Sequence, residues 1–489
     1  MKFFFTYEIK GLKGLIELEF DKLSLATYFF CGLIPQPLTS YKNVYSIFPG
    51  SYLCVENDKI IQKSWYSPKI ATEVKNFDTI KREFIDLFKK SVKLRLRSDV
   101  PVGIFLSGGL DSTAIFQAIK ENNKKITALI CTIPDKEKFS GTNTDSDLPK
   151  KLCKENGHDF IETVFDYDYF NKNLVNTIGF TDEFIPNSGS LIFYALSETA
   201  KKNGIKVIMT GAGGDEIFGG YPWQNKIRLL PNIFINNFLQ SKKKISKNFL
   251  FKMSFNTDNF LLRKIQKMIK LFFYTRIWHA ETYGSGLSDF MGDVKQEVYE
   301  KIDSCAEKYF DYTNSLFVSN DFNKFNFANV FTTLNFQNYN FDIACMKNSV
   351  ENRAPFLDYE IFEYMMKIPD KEKNRQGIKS IFKNLLRGKL PEYIINAKKS
   401  GPSLPLNIWI ESRPEVKKKI NNFINRNLFY IRDYLSEKLY YQLNKSKNIF
   451  DKKYVRAFKI LSFIIWAKIN IDKSITNKSI TLEELVAEY

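Results

Sequence analysis

The 489-residue chain is poor in the residues that most often announce a catalytic or metal centre. It has two histidines, His158 and His279. A His-based metal site or a Ser-His-Asp triad is therefore not expected. Its six cysteines (Cys31, Cys54, Cys131, Cys153, Cys305, Cys345) are scattered and form no CxxC pair. That pattern excludes a zinc ribbon or a disulfide framework and fits reduced thiols in the cytosol. No apolar run approaches the length of a membrane span; Ile460–Ala467 is among the longest. The opening MKFFFTYEIKGLKG lacks a long apolar core and a small-residue cleavage site, so a secretory leader is not expected. There is no 20–50-residue repeat and no low-complexity tract.

What is present is ordinary globular composition, 44% hydrophobic and 26% charged, with a high aromatic share of 15%. The net charge of +18 is uneven. Residues 221–280 hold twelve Lys and Arg against one acid, Asp258, and residues 371–400 hold nine against Glu372 and Glu392. The rest of the chain is balanced, which argues against a uniformly basic nucleic-acid coat.

The length predicts several domains. Residues 1–70 read as a small, β-rich segment of short strands and turns. Asp78 is a candidate cap for a helix running to about Arg97, with Ile80, Phe84, Phe88 and Val92 at helical spacing. Buried-strand runs follow at 102–106, 125–133, 160–164 and 205–210, with helical stretches at 113–119, 150–156 and 190–203. Strands alternating with helices predict an α/β unit over 71–221: a parallel sheet with helices on both faces. Residues 222–330 read as a basic, helical or irregular insertion, and residues 331–489 as mainly helical.

Two glycine-rich loops follow strands of that sheet. Ser107-Gly108-Gly109-Leu110-Asp111-Ser112 opens a helix, so backbone amides, two hydroxyls and the helix dipole can hold phosphate. It is not a GxxxxGK[ST] loop, because no lysine follows the glycines. Asp111 would repel an anion unless it also held a cation, which points to Mg²⁺ with a nucleotide polyphosphate. Thr210-Gly211-Ala212-Gly213-Gly214-Asp215-Glu216 follows the last strand. If the strands are parallel, Asp215 shares an edge with Asp111, and the two carboxylates become candidate metal ligands.

Here the chain resembles the asparagine synthetase family of ATP-pyrophosphatase-type amide ligases, with its β-lactam synthetase and lasso-peptide cyclase relatives. The resemblance rests on the SGGLDS loop with its lead-in Ser98–Gly103 and on TGAGGDEIFGGY at 210–221. It also rests on Asp342…Met346…Glu351-Asn352-Arg353-Ala354-Pro355-Phe356-Leu357-Asp358, and on Lys379 through Leu390-Pro391 to Lys399-Ser400-Gly401, Pro405 and Trp409. It covers roughly residues 80–470. It implies a PP-loop fold of the adenine nucleotide α-hydrolase type. It implies ATP and Mg²⁺ as cofactors, adenylation of a carboxylate with release of pyrophosphate, and transfer of the acyl group to ammonia or an amine. Ser107–Ser112, Gly211 and Gly213 would hold nucleotide, and Asp111 and Asp215 the metal. Lys399 would be the catalytic cation, Lys379 a further phosphate ligand, and Glu351 a carboxylate near substrate. A structural ion pair between Glu351 and Arg353 is the alternative there.

Two departures bear on the activity. Residues 26–66 resemble only the tail of the family's glutaminase domain, and Lys2 stands where the family exposes a nucleophilic cysteine. No glutamine hydrolysis is therefore expected; ammonia could come free or from a separate glutaminase. Ala212 stands where relatives carry a side chain able to move a proton, which weakens the case for asparagine synthesis itself. A non-catalytic ATP-binding subunit and an intramolecular amide cyclase remain alternatives. The 222–280 block reads either as a solvated amphipathic surface or as a dock for an acidic partner or an anionic membrane surface. No RNP or KH signature supports RNA binding.

Overall fold

The structure, a computed structural model, describes residues 3–137, 147–181, 188–221, 334–397 and 404–488 apart from isolated positions, and parts of 297–330. The basic block at 222–280 and Lys399 lie outside the described residues. The chain divides into two compact units.

The first unit comprises Met1–Ala71, Tyr221–Thr333 and Leu428–Ser446. Strand-and-turn structure was expected across 1–66. The hairpin of β1 (Ser51–Glu56) and β2 (Lys59–Ser64) fits that expectation, but α1 (Lys22–Cys31) does not. Asp21 is the start signal. Its carboxylate accepts from the amides of Leu23 and Ser24 and from the Ser24 hydroxyl. Leu25, Ala26, Tyr28 and Phe29 are then buried, and so compact an apolar run has no distinct helical periodicity.

The second unit comprises Thr72–Gly220, Leu334–Asn427 and Lys447–Tyr489. It opens on α2 (Phe77–Arg95), whose cap is Asn76 rather than Asp78; the Asn76 side chain accepts from the Thr79 amide. Asp78 lies in the first turn, where its charge suits the helix dipole. Then come β3 (Val102–Phe105), α3 (Leu110–Glu121), β4 (Thr127–Thr132), α4 (Asp147–Asn156), β5 (Phe160–Val164), α5 (Tyr167–Gly179), α6 (Ser188–Lys202), β6 (Val207–Met209) and α7 (Gly214–Phe218). After the insertion follow α8 (Asn335–Met346) and β7 (Glu351–Arg353).

These five strands form one parallel sheet in the order β5-β4-β3-β6-β7. The chain moves outward from β3 to β5, then returns to β6 on the other side of β3. Right-handed crossovers place α3 and α4 on one face and α6 and α8 on the other; α6 and α8 pack together. The reversal makes a switch point between β3 and β6, the position where α/β sheets open a crevice beyond their strand ends. The remaining chain is mainly helical, including α9 (Tyr359–Lys367), α10 (Ser380–Leu386), α11 (Leu406–Glu411), α12 (Pro414–Arg426) and α13 (Tyr454–Asn470). From Ala457 to Ile469 every residue of α13 is buried, so it is a core helix. No described helix is long and apolar enough to cross a membrane.

Candidate active site

β3 and β6 are adjacent and parallel, with Ile104 level with Met209. The two glycine loops therefore leave the same sheet edge side by side. In the first, Gly108 has a left-handed backbone (φ 72°), and a Cβ there would lie 2.8 Å from Pro149 Cδ. Glycine is required on both counts. Ser107 and Ser112 hydroxyls are 3.0 Å apart, and Ser112 Oγ accepts from the Ser107 amide. Gly109 caps α3 and Leu110 begins it, and both hydroxyls bond to Gly109, so they lie at a helix N-terminus, the kind of place that suits an anion.

The second loop packs flush against the first. A Cβ on Gly211 would sit 3.0 Å from Asp111 Cβ, and one on Gly214 would sit 2.7 Å from Asp111 Cγ. The absence of side chains is what lets the Asp215-bearing helix α7 approach Asp111. Gly213 is left-handed (φ 92°) at its start. Ala212 is half-buried in the same loop.

Between the aspartates lies Lys379. Its Nζ is 2.6 Å from both carboxylate oxygens of Asp111 and 2.6 Å from Asp215 Oδ1. The residue is 5% exposed. Burial opposes the ammonium charge, but Asp111 and Asp215 outweigh it and raise the pKa above the ordinary lysine value. Lys379 itself has a left-handed backbone (φ 54°, ψ 26°) and precedes α10.

Aromatic packing sets these charged groups in place. Phe218 stacks on Phe382 with ring centroids 4.1 Å apart, and both meet Phe84 and Phe356 edge-on. Phe218 and Phe382 each lie three residues beyond Asp215 and Lys379, nearly one helical turn below them. Lys373, fully buried, donates to the carbonyls of Ile217 and Met365 and ties α7 to α9.

The two carboxylates suit Mg²⁺. They are oxygen donors that converge on the position of the Lys379 ammonium. A cation there would draw its other ligands from phosphate and water, which is how Mg²⁺ is usually held.

Glu351 is not brought to this site. It pairs with Val207 at the amino end of β6, the opposite edge from the glycine loops. Its carboxylate accepts from Arg353 Nε at 2.7 Å, and Arg353 Nη1 donates to the carbonyls of Arg95 and Arg97. Glu351, expected near the substrate, is thus half of the alternative ion pair, whose Arg353 ties down the chain after α2. Glu137 is a further functional-looking carboxylate that the sequence does not signal. This buried carboxylate just after β4 accepts from Trp409 Nε1 at 2.6 Å and from the Tyr167 amide. Its position, two residues beyond the Pro134-Asp135 turn, gave no signal that a tryptophan 272 residues away would meet it.

The architecture and its site define an α/β protein whose two glycine-rich loops meet at a sheet switch point. The asparagine synthase family model matches residues 83–464, and the chain belongs to that family. It is similar to asparagine synthetase (glutamine-hydrolysing) 1 of Bacillus subtilis, at 26% identity over 96% of this chain and 72% of the relative. It is similar to asparagine synthetase (glutamine-hydrolysing) 3 of the same organism, at 26% identity over 81% and 61%. It is also similar to amidase chry2 of Gibberella zeae, at 23% identity over 76% and 60%. The chain thus spans from 60% to 72% of the length of these relatives.

Proposed function

We propose that the chain is an ATP- and Mg²⁺-dependent ligase that forms amide bonds through an adenylated carboxylate. The observation that carries this is the meeting of Asp111, Asp215 and Lys379 beside the Ser107–Ser112 cradle, at the sheet's switch point. In this reading a substrate carboxylate attacks the α-phosphorus of ATP and pyrophosphate leaves. Ammonia or an amine then attacks the carbonyl and AMP departs. Ser107, Ser112 and the amides from Gly108 to Leu110 bind the pyrophosphate end. Asp111 and Asp215 hold Mg²⁺, which when bound neutralises polyphosphate charge. Lys379 supplies a fixed positive charge beside the phosphates, and Lys399 is assigned the ammonium that stabilises charge developing at the reacting centre. Glu351 is given no role in this reading, because its carboxylate pairs with Arg353 and its backbone lies level with Val207 at the amino end of β6.

The nitrogen donor in this reading is ammonia or an amine rather than glutamine. Cys54 lies within hairpin strand β1 and donates to Glu56; it is not assigned a nucleophilic role. The described cysteines are free thiols, which supports a cytosolic setting.

The test is pyrophosphate release from Mg²⁺ and ATP across a panel of carboxylic acids, with and without ammonium. Release with at least one acid is expected. Normal ATP binding with no release from any acid would instead favour a non-catalytic nucleotide-binding subunit, a reading that Ala212, whose methyl group can move no proton, leaves open. Ammonia production from glutamine by the purified chain would overturn the choice of donor.

A further inference from the structure

The Lys379 ammonium and a divalent cation would use the same oxygens. Three carboxylate oxygens lie 2.6 Å from Nζ, whereas Mg²⁺ sits about 2.0–2.1 Å from its ligands. The ammonium and the metal would compete for those three oxygens. The lysine is also anchored from behind. Its amide donates to Asn374 Oδ1 at 3.0 Å, and its carbonyl accepts from the Lys383 amide at 2.9 Å. Gly220 lies against the Asp215 carboxylate and the Lys379 side chain so closely that a Cβ there would overlap both. The ammonium is therefore delivered to the aspartates from a fixed backbone through a fitted slot.

We propose that Lys379 is a built-in counter-ion: it fills the metal position while nucleotide is absent, so the site accepts its divalent cation only together with a polyphosphate. This deepens the reading above and rests on it. Two carboxylates and one ammonium leave a single net negative charge, a weak lure for a free dication. A metal entering alone would also separate a buried ammonium from its carboxylates, which is costly. A metal arriving with a nucleotide brings phosphate oxygens. Lys379 can then pass its hydrogen bonds from the carboxylates to the phosphate while the metal takes the carboxylates. Every charge keeps a partner before and after the exchange, and no proton moves.

The experiment follows Mn²⁺ uptake by the resonance of the free ion, with the full chain, in the presence and absence of a non-hydrolysable ATP analogue. The native protein is expected to bind Mn²⁺ at least about tenfold more tightly with the analogue than without it. Lys379→Met keeps an unbranched side chain at the left-handed position. It is expected to bind Mn²⁺ alone at least about tenfold more tightly than the native protein, a gain that Asp111→Asn in the same chain abolishes. Stoichiometric uptake of Mn²⁺ alone by the native protein, as tight as its uptake together with magnesium-free analogue at equal concentration, would overturn the proposal, and that measurement does not depend on the variant folding. If the nucleotide reading itself fails, the analogue does not bind at all. If only the counter-ion role fails, the analogue binds and Lys379→Met takes up Mn²⁺ alone no more tightly than the native protein does.

Discussion

Lys379 stands 268 residues from Asp111, and neither residue's neighbourhood shows that they meet. The aspartates were legible because each follows a strand and a run of glycines, a pattern with a physical reason behind it. The lysine was legible from the family resemblance as a phosphate ligand and otherwise as one member of a basic block; its pairing with the two aspartates was not. Glycine is the other half of the arrangement. Gly214→Ala should leave the backbone of α7 intact, since alanine suits a helix. Its methyl, however, would sit 2.7 Å from Asp111 Cγ and drive that carboxylate aside. A displacement of this size at a reacting centre costs about 100-fold in rate. Pyrophosphate release by Gly214→Ala is therefore expected to fall by about that factor with little change in melting temperature. Activity near the native level would show that the close approach of the two loops is not needed.

At the scale of elements, the continuous apolar runs made the inner strands plain; Val102–Phe105 and Val207–Met209 are buried almost throughout. β7 was not legible, because Glu-Asn-Arg at an edge has neither an apolar run nor alternation. α10 contributes more than Lys379. Its Phe382 is fully buried against Phe218, Phe84 and Phe356. Phe382→Ala is expected to cost about 3–5 kcal/mol of stability and to lower pyrophosphate release in the fraction that stays folded, read by denaturant melts and by assay. Loss of stability with native specific activity would separate the aromatic cluster from the site above it. A second tie joins α2, α3 and the turn after α10: Glu121 receives Lys89 and Lys389, each at 2.8 Å. Burial works against the Glu121 charge, but Lys389 and Lys89 prevail and hold its pKa below the usual carboxylate value. Stability from a carboxylate so depressed is fully present above its unfolded pKa, about 4.3. It is lost as pH falls through the lower folded value. Glu121→Gln should accordingly lower stability at neutral pH and flatten the acid limb of the stability curve. An unchanged acid limb would mean the two lysines are not coupled to folding.

For the whole molecule, the excess of positive charge divides by use. In the 371–400 block, Lys373 and Lys379 are buried and Lys389 is paired with Glu121, so part of that charge works inside the second unit. The sequence could place the block but not distinguish an inward lysine from a solvated one, because that difference is made by the carbonyls and carboxylates that fold around it. The division into two units gives the proposed function a spatial signature. Every group assigned to nucleotide and metal among the described residues belongs to the second unit: Ser107–Ser112, Gly211, Gly213, Asp215 and Lys379. The β1–β2 hairpin belongs to the first and has largely exposed side chains. Binding of Mg²⁺ with a non-hydrolysable ATP analogue should therefore slow amide hydrogen exchange at 107–113, 211–219 and 376–384. These are loops and short helix starts with few backbone partners of their own, the kind of segment that opens by local fluctuation. The hairpin at 51–64 should exchange at the same rate with and without ligand. Protection of the hairpin while the glycine loops stay unchanged would move the nucleotide site out of the sheet crevice altogether. Protection of the loops without the 376–384 segment would keep nucleotide there but remove Lys379 from the phosphates.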